Sequence, residues 1–340
     1  MTQDLRNPSA FGPQMQLLVV TDGRPANLTQ ALGLAEAMAD HVPVQIPVRI
    51  ACAELALHPG LDRLPSRLLA PLGRAAFTGL PAGVPDIVVG AGRRGNLAAH
   101  ALGRQGARAV AVLDPHLPLA RFAAVVAPAH DRLSGEASPG AKVLTTLGSM
   151  NRLSRTALAA APQPFPKLPA PRLAVLIGGP SRSAIFDAEA LIADLARFAG
   201  WSLCATASRR TPPDLPAALR AAFPGLWLWD GQGQNPYPGL LAAADAVLVT
   251  ADSVNMASEA AASGRPVFVS GQPSPGKHAR FHAALQAHGA SRPAGQAPAD
   301  WSYTALHEAT RVAPLVLTRL GFAQTAGAAY RGFDAEERAP

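Results

Sequence analysis

The chain of 340 residues has few cysteines, few lysines and few aromatic residues. Its two cysteines, Cys52 and Cys204, stand far apart with no metal-ligand spacing. That argues against a disulfide framework and a cysteine-built zinc site, and predicts two buried small apolar residues in a reducing compartment. Aromatic residues make up 5% of the chain and no basic run is interleaved with them, so a nucleic-acid partner is not expected. No apolar run reaches the roughly 18 residues of a membrane-spanning helix, and the polar stretch from Met1 to Pro13 has no signal core. The expected location is the cytoplasm, with the inner membrane met only from the side. What is abundant is apolar: 49% hydrophobic against 16% charged residues fits a well-buried globular protein. The net charge is +7, and only three of the 30 basic side chains are lysine. Arginine binds phosphate bidentately, so this balance suits phosphorylated ligands or an anionic membrane surface.

Strand and helix patterns alternate in two series. The first opens with a strand at Met15–Thr21, the turn Asp22-Gly23-Arg24-Pro25 and a helix with Leu28, Ala31, Leu32, Ala35 and Met38 at helical spacing. Further strands are expected at Pro43–Ile50, Asp86–Val89, Ala109–Leu113 and Ala123–Val126. The segment from Ala53 to Ala82 reads as helical and irregular. A proline-rich stretch, Pro162–Pro171, cannot form a helix interior or a central strand and separates the halves. The second series has strands at Leu173–Ile177, Leu203–Ala207, Leu226–Trp229, Val247–Thr250 and Val267–Val269, and a final helix near Tyr303–Leu320. The fold class is α/β, with two Rossmann-like domains facing across a cleft. The expected units are 1–165, a linker 166–171, 172–305, and a helix with tail, 306–340, packing back on the first unit.

Ligands of such sheets bind at the carboxyl ends of the strands, and every polar turn of this chain follows a strand. The richest unit is Ala244–Glu259. Its turn Ala251-Asp252-Ser253 places polar groups at a helix N-terminus, where free N–H groups and the dipole favour an anion. Ser253, Asn255 and Met256 lie at that helix start. Glu259, among alanines inside the helix, can accept hydrogen bonds from a diol such as ribose. Gly178, Gly179 and Ser181 form a glycine turn that lets backbone approach a phosphate, although many strand–helix turns use Gly-Gly. Arg209 and Arg210 read either as a solvated basic turn or as a contact to an anion. Asn235 reads either as a cap of the following turn or as a base or sugar contact.

In the first half, Arg24 and Asn27 project from the first turn, and Arg93 and Arg94 from the turn Gly90–Arg94. His130 and Asp131 are a titratable pair, readable as a general base or as a capping Asp beside a surface His. Asp22, at another strand end, is a further candidate base. His278 and His282 share a helix face, but no third ligand is evident, so no metal is expected. A nucleoside-diphosphate sugar is the ligand this set of turns suits, as substrate and not as resident cofactor.

The motifs Asp22–Pro25 with Asn27 and Gln30, Gly90–Arg94, Pro128–Asp131, Ile177–Ser181, Thr206–Pro212, Asn235–Tyr237 and Val249–Ala260 occur in one order along the chain. Together they resemble the mitochondrial fission ELM1-like family, with Ala26 standing where that family's first motif has glycine. The stretch Ser258–Pro266 is also similar to the nucleotide-sugar helix of GT-B glycosyltransferases. That resemblance implies that Glu259 binds ribose, that Ser253, Asn255 and Met256 cradle diphosphate or sugar, and that Gly178, Gly179 and Ser181 line the same pocket. It implies a metal-independent transferase acting on an acceptor of the membrane or envelope. A nucleotide-sugar 2-epimerase and a non-catalytic membrane-associated scaffold are the rival classes.

Overall fold

The computed structural model describes residues 14–43, 46–133, 143–162, 165, 168–181, 184–229, 231–295 and 300–322. The expected tail and the start of the expected linker lie outside the described residues. In chain order the first half contains β1 (Met15–Thr21), α1 (Pro25–His41), β2 (Val48–Glu54), β3 (Ala56–Leu57), α2 (Ser66–Leu69), β4 (Phe77–Thr78), β5 (Ile87–Ala91), α3 (Gly92–Gly103), β6 (Arg108–Val112), β7 (Ala124–Pro128) and β8 (Val143–Thr146). After α4 (Arg155–Ala159) come β9 (Arg172–Ile177), α5 (Ala188–Ala196), β10 (Ser202–Ala207), α6 (Leu215–Ala222), β11 (Trp227–Leu228), α7 (Tyr237–Ala243), β12 (Ala246–Thr250), α8 (Val254–Ala262), β13 (Val267–Ser270), α9 (Lys277–Ala287), β14 (Ser291–Pro293) and α10 (Glu308–Arg319).

Two six-stranded sheets result, ordered β2-β1-β5-β6-β7-β8 and β11-β10-β9-β12-β13-β14. Their pairings are parallel throughout. Parallel strands buried on both faces need continuous apolar runs; β5, β7, β12 and β13 are buried at every position. The strand order reverses between β1 and β5 in the first sheet, and between β9 and β12 in the second. These reversals are switch points, where helices depart to opposite faces and leave a crevice.

The switch point of the first sheet is packed through glycine. A Cβ on Gly95 of α3 would lie 2.3 Å from the Val20 carbonyl oxygen, and one on Gly90 would lie 2.4 Å from the Gly95 carbonyl oxygen. Gly90 and Gly95 therefore serve close helix–strand packing.

The sequence expectation missed β8 and β14. Both are short edge strands, and β14 carries Arg292 and Pro293, which only an edge tolerates. Strand β2 starts at Val48, later than the expected Pro43. The irregular segment is a two-stranded hairpin of β3 and β4 enclosing α2 and 3₁₀ turns. Cys52 is exposed, contrary to the expected burial, because β2 is an edge strand; Cys204 is buried, and burial pushes its thiol up to about 11. Among the described residues no helix is long and apolar enough to cross a membrane.

The halves are held together by two crossings. Leu153 and Phe165 are buried in the second half's core, with Leu147 and Leu158 packed against it. The packing boundary therefore lies nearer residue 147 than 165. Conversely, α10 lies in the first half's core, where Val312, Ala313, Val316 and Leu317 meet Leu34 and Met38 of α1. Glu308 fixes this return. Its buried carboxylate accepts the Leu147 N–H at 2.7 Å and two bonds from Arg311 at 2.7 and 2.8 Å, while Arg311 also donates to the Thr145 carbonyl at 2.7 Å. Replacing Glu308 by Ala strips an acceptor from the partly buried Leu147 N–H and two bonds from Arg311. The variant is expected to lose about 2–3 kcal/mol of stability in urea denaturation. A midpoint unchanged from wild type would show that α10 docks by apolar packing alone.

Candidate functional site

At the second switch point three loops are stitched by one carboxylate. Asp252 has no exposed side-chain surface. Its Oδ2 accepts the Gly179 N–H at 3.0 Å and Arg210 Nη2 at 2.8 Å, and its Oδ1 accepts the Thr250 hydroxyl at 2.6 Å. Arg210 also donates to the Gly179 carbonyl, and Thr211 donates to the carbonyl of Gly178 at 2.7 Å. A buried carboxylate requires such compensation. The glycines are needed because a Cβ on Gly178 would fall 2.2 Å from Asp252 Oδ2, and one on Gly179 would fall 1.9 Å from the Arg210 carbonyl oxygen.

This changes two expected roles. The N–H of Gly178 donates to Thr250 Oγ1 at 2.9 Å and that of Gly179 to Asp252, so the two amides expected at a phosphate close the loop instead. Arg210 does meet an anion, but the anion is Asp252. Arg209 beside it is exposed, as is Ser181, which bridges to Ala184.

The helix α8 begins in the adjacent turn. Ser253 caps it by accepting the Met256 N–H at 3.3 Å. Asn255 accepts a hydrogen bond from Ser149 Oγ at 2.5 Å, and Ser258 Oγ accepts the Ser149 N–H at 2.9 Å. One face of the helix start thus seats a loop of the first half. Met256 packs against the core of the second half. Further along α8, Glu259 is partly buried and accepts a hydrogen bond from the Tyr237 hydroxyl at 2.7 Å. Burial pushes its carboxyl up to about 7, against the opposing pull of that bond. Asn235 stands apart: it accepts the Tyr237 N–H at 3.1 Å and faces another cavity, lined with Asn151 and His307. That bond closes a local turn just ahead of α7, whose N-cap residue is Pro236.

The first half contributes a cavity of about 650 Å³ at the carboxyl ends of β1, β5, β6 and β7, and it brings together most of that half's candidates. Asp22, Arg24, Asn27, Arg93, Arg94 and Asp131 line it, joined by Lys277 of α9 from the second half. Asp22 accepts from Asn27 Nδ2 at 2.9 Å and lies 3.4 Å from Arg24 Nε. Arg94 pairs with Asp62 at 2.7 Å, and Arg93 donates to the carbonyls of Asp62 and Leu64. Sequence reasoning missed Asp62, Asp114, His116 and Lys277. Asp114-Pro115 directly after β6 was a legible turn signal. Among the described residues three non-glycine residues have positive φ: Leu113 at 67°, His116 at 52° and Arg132 at 50°. Leu113 and His116 line this cavity and Arg132 follows Asp131; such backbone costs energy and clusters at functional sites.

His130 does not join them. It is buried, its ring meets Phe281 edge-on at 5.3 Å, and its backbone carbonyl accepts two bonds from Arg280. Its Nε2 lies 3.9 Å from Asp131 Oδ1, and burial lowers its pKa despite that carboxylate. His278 and His282 are buried beside it. His282 Nε2 lies 3.0 Å from the Ala251 carbonyl oxygen, and burial lowers its pKa to about 4. Among the described residues no group of three or more His, Cys, Asp or Glu side chains is placed to hold a metal.

Residues 25–320 match the family model described as mitochondrial fission ELM1. The mitochondrial fission protein ELM1 of Arabidopsis thaliana is 30% identical over 275 residues, which is 69% of this chain. The match spans 64% of the plant protein, so this chain covers less than two thirds of that relative. Among solved structures, the UDP-GlcNAc 2-epimerase of Neisseria meningitidis bound to UDP-GlcNAc superposes with a TM-score of 0.51 at 15% identity, over 91% of this chain and 95% of that one. The glycotransferase of kitacinnamycin gives 0.51 at 15% identity, over 91% and 94%. The fold is therefore the GT-B-like pair of Rossmann-type units.

Glu259 yields a pH prediction. Its folded-state pKa of about 7 stands above its ordinary 4.5, so the folded protein holds this proton more tightly than the unfolded chain. Stability from this group is fully present below pH 4.5 and is lost as pH rises toward 7, by up to about 3 kcal/mol. Glu259→Gln is expected to flatten that slope and to exceed wild type in urea midpoint above pH 7. Parallel pH profiles of the two proteins would refute the assignment.

Proposed function

This chain belongs to the mitochondrial fission ELM1 family, and for it we propose the activity of a GT-B-type glycosyltransferase that uses a nucleoside-diphosphate sugar. The observation carrying the proposal is the arrangement along α8. The only carboxylate in the turn before it, Asp252, is neutralised by Arg210, so the turn does not repel an anion. The amides of Val254 and Asn255 head the helix, where they and the dipole favour phosphate. Glu259 lies five residues further, about 7.5 Å along the helix. That is of the order of the span from the diphosphate to the ribose hydroxyls. The single bond from Tyr237 leaves the Glu259 carboxylate with acceptor capacity for a diol.

The acceptor belongs in the first-half cavity. Its hydroxyl oxygen attacks the anomeric carbon, the bond from that carbon to the diphosphate oxygen breaks, and the nucleoside diphosphate departs. The α8 amides, Arg209 and Lys277 are the groups available to meet the leaving charge. The proton goes to Asp131, or to Asp22; both line the cavity, whereas the His130 ring is buried against Phe281. A nucleotide-sugar 2-epimerase is the second reading, favoured by the carboxylates Asp22, Asp62, Asp114 and Asp131 around one cavity. The scaffold reading predicts a polar-poor cleft, and this cavity is rich in charge.

Calorimetry with UDP-, GDP-, CMP- and dTDP-linked sugars tests the donor, and no binding to any by the folded protein would sink the reading. With a donor found, Asp131→Asn is expected to lower turnover by about 10²–10⁴-fold with donor affinity nearly unchanged. Glu259→Ala is expected to weaken donor binding first. Deuterium uptake into the sugar from heavy water, without an acceptor, would select the epimerase.

A further inference from the structure

The segment Leu61–Arg74 runs Leu-Asp-Arg-Leu-Pro-Ser-Arg-Leu-Leu-Ala-Pro-Leu-Gly-Arg, mixing leucine with arginine and holding a single acid, Asp62. It turns through two 3₁₀ segments and α2, and its underside is fixed. Ser66, Leu69 and Ala70 are buried, the latter two in the core beside α3. Its carbonyls are tethered from below: Arg93 donates to those of Asp62 and Leu64, and Arg104 to those of Ala70 and Pro71.

The outer face is unlike the rest of the surface. Leu64 is 39% exposed, Leu68 58% and Leu72 46%. Of seven exposed large apolar side chains among the described residues, these three lie within one nine-residue stretch, four positions apart. Exposed leucines scattered singly need no explanation; a fixed row of three does. Beside them in the chain stand the exposed Arg63, just before Leu64, and Arg67, just before Leu68, while Asp62 is engaged by Arg94 at 2.7 Å. The ridge is therefore apolar and of one charge sign. Asp62, Arg93 and Arg94, which support it, also line the first-half cavity, so whatever covers the ridge lies at the cavity's rim.

We propose that the Leu61–Leu72 ridge docks on an anionic lipid bilayer, with Leu64, Leu68 and Leu72 entering the headgroup boundary and Arg63 and Arg67 meeting lipid phosphates. Charge complementarity selects this occupant: apolar groups flanked by cations match an anionic leaflet, where each arginine near the surface adds attraction. The proposal extends the acceptor side of the preceding reading, since docking would bring a lipid-borne hydroxyl to the rim of the cavity. Its test needs neither donor nor turnover, so the two readings fail separately.

The test is flotation of the full chain with vesicles of phosphatidylcholine alone and of three parts phosphatidylcholine to one part phosphatidylglycerol. The protein is expected to float with the anionic vesicles only, and less at high salt. Leu64→Ser with Leu68→Ser is expected to lower the partition coefficient about tenfold or more. Arg63→Gln and Arg67→Gln are each expected to lower it about fivefold and to reduce the salt dependence. Leu315→Ser, at an exposed leucine on α10, is the control and leaves partitioning unchanged. These side chains are exposed, and an unaltered thermal melt for each variant confirms that folding is not the cause. Wild-type protein that floats with neither vesicle overturns the proposal, as does a leucine variant that floats like wild type. A dimer in size-exclusion chromatography that Leu68→Ser dissociates, with no vesicle binding, would assign the ridge to a second copy of the chain.

Discussion

The bond between Arg210 and Asp252 governs the second half's switch point. Burying a carboxylate without exposed surface is costly unless its oxygens are hydrogen-bonded, and here an arginine, a threonine hydroxyl and a glycine amide meet them. Those donors come from the ends of three different strands. The pair therefore sets the spacing of the loops after β9, β10 and β12 in one step. It dictates glycine at 178 and 179, because the volume a side chain needs is already occupied by Asp252 and by the Arg210 backbone. It also leaves the start of α8 without an unpaired negative charge.

The same economy governs the seam between the halves. The loop after β8 presents the Leu147 amide to Glu308 and the Ser149 amide and hydroxyl to α8. Gly148 lies so close to α8 that a Cβ there would stand 2.4 Å from Ser258 Oγ. On the opposite side, Arg280 of α9 holds the His130 carbonyl, and the His130 ring rests on Phe281. The face of α8 that seats Ser149 and the buried histidines are thus parts of the joint. Outside the joint stand the leading amides of α8, Glu259, Arg209, and the charged side chains around the first-half cavity.

The fold was legible because both sheets are parallel. Buried strands of β-branched and aliphatic residues, each followed by a polar turn and a helix, stand out in the sequence from β1 to β13. Two edge strands and one irregular segment were not legible. β14 contains an arginine and a proline, β8 is four residues long, and α2 and its 3₁₀ turns lack any sustained period. The candidate site was legible as a set of turns but not as a set of roles. Sequence offered Gly178, Gly179, Arg210 and the Asp252 turn as separate strand-end features, yet could not say that they would satisfy one another. It paired His130 with Asp131 correctly in space, yet could not show that one faces a cavity and the other an aromatic ring across the joint. That distinction arises from tertiary packing, to which neighbours in sequence are blind.

Charge placement links these observations. The first-half cavity carries carboxylates and arginines in nearly equal number, so it does not act as a plain anion trap. Asp22 is held by Asn27 and Arg24, and Asp62 by Arg94, while Arg93 is spent on backbone carbonyls. Lys277 reaches the same space from α9, on the other side of the seam, and is the group there that depends on how the two halves sit. A rigid-body shift of one half would move Lys277 relative to Asp22 and Asp131 while leaving each half's internal bonds intact. Each switch point is held by its own internal bonds, and Lys277 is a charged group that reaches from one half into the other's cavity. Chemistry that needs a donor on one half and an acceptor on the other is suited to such a construction.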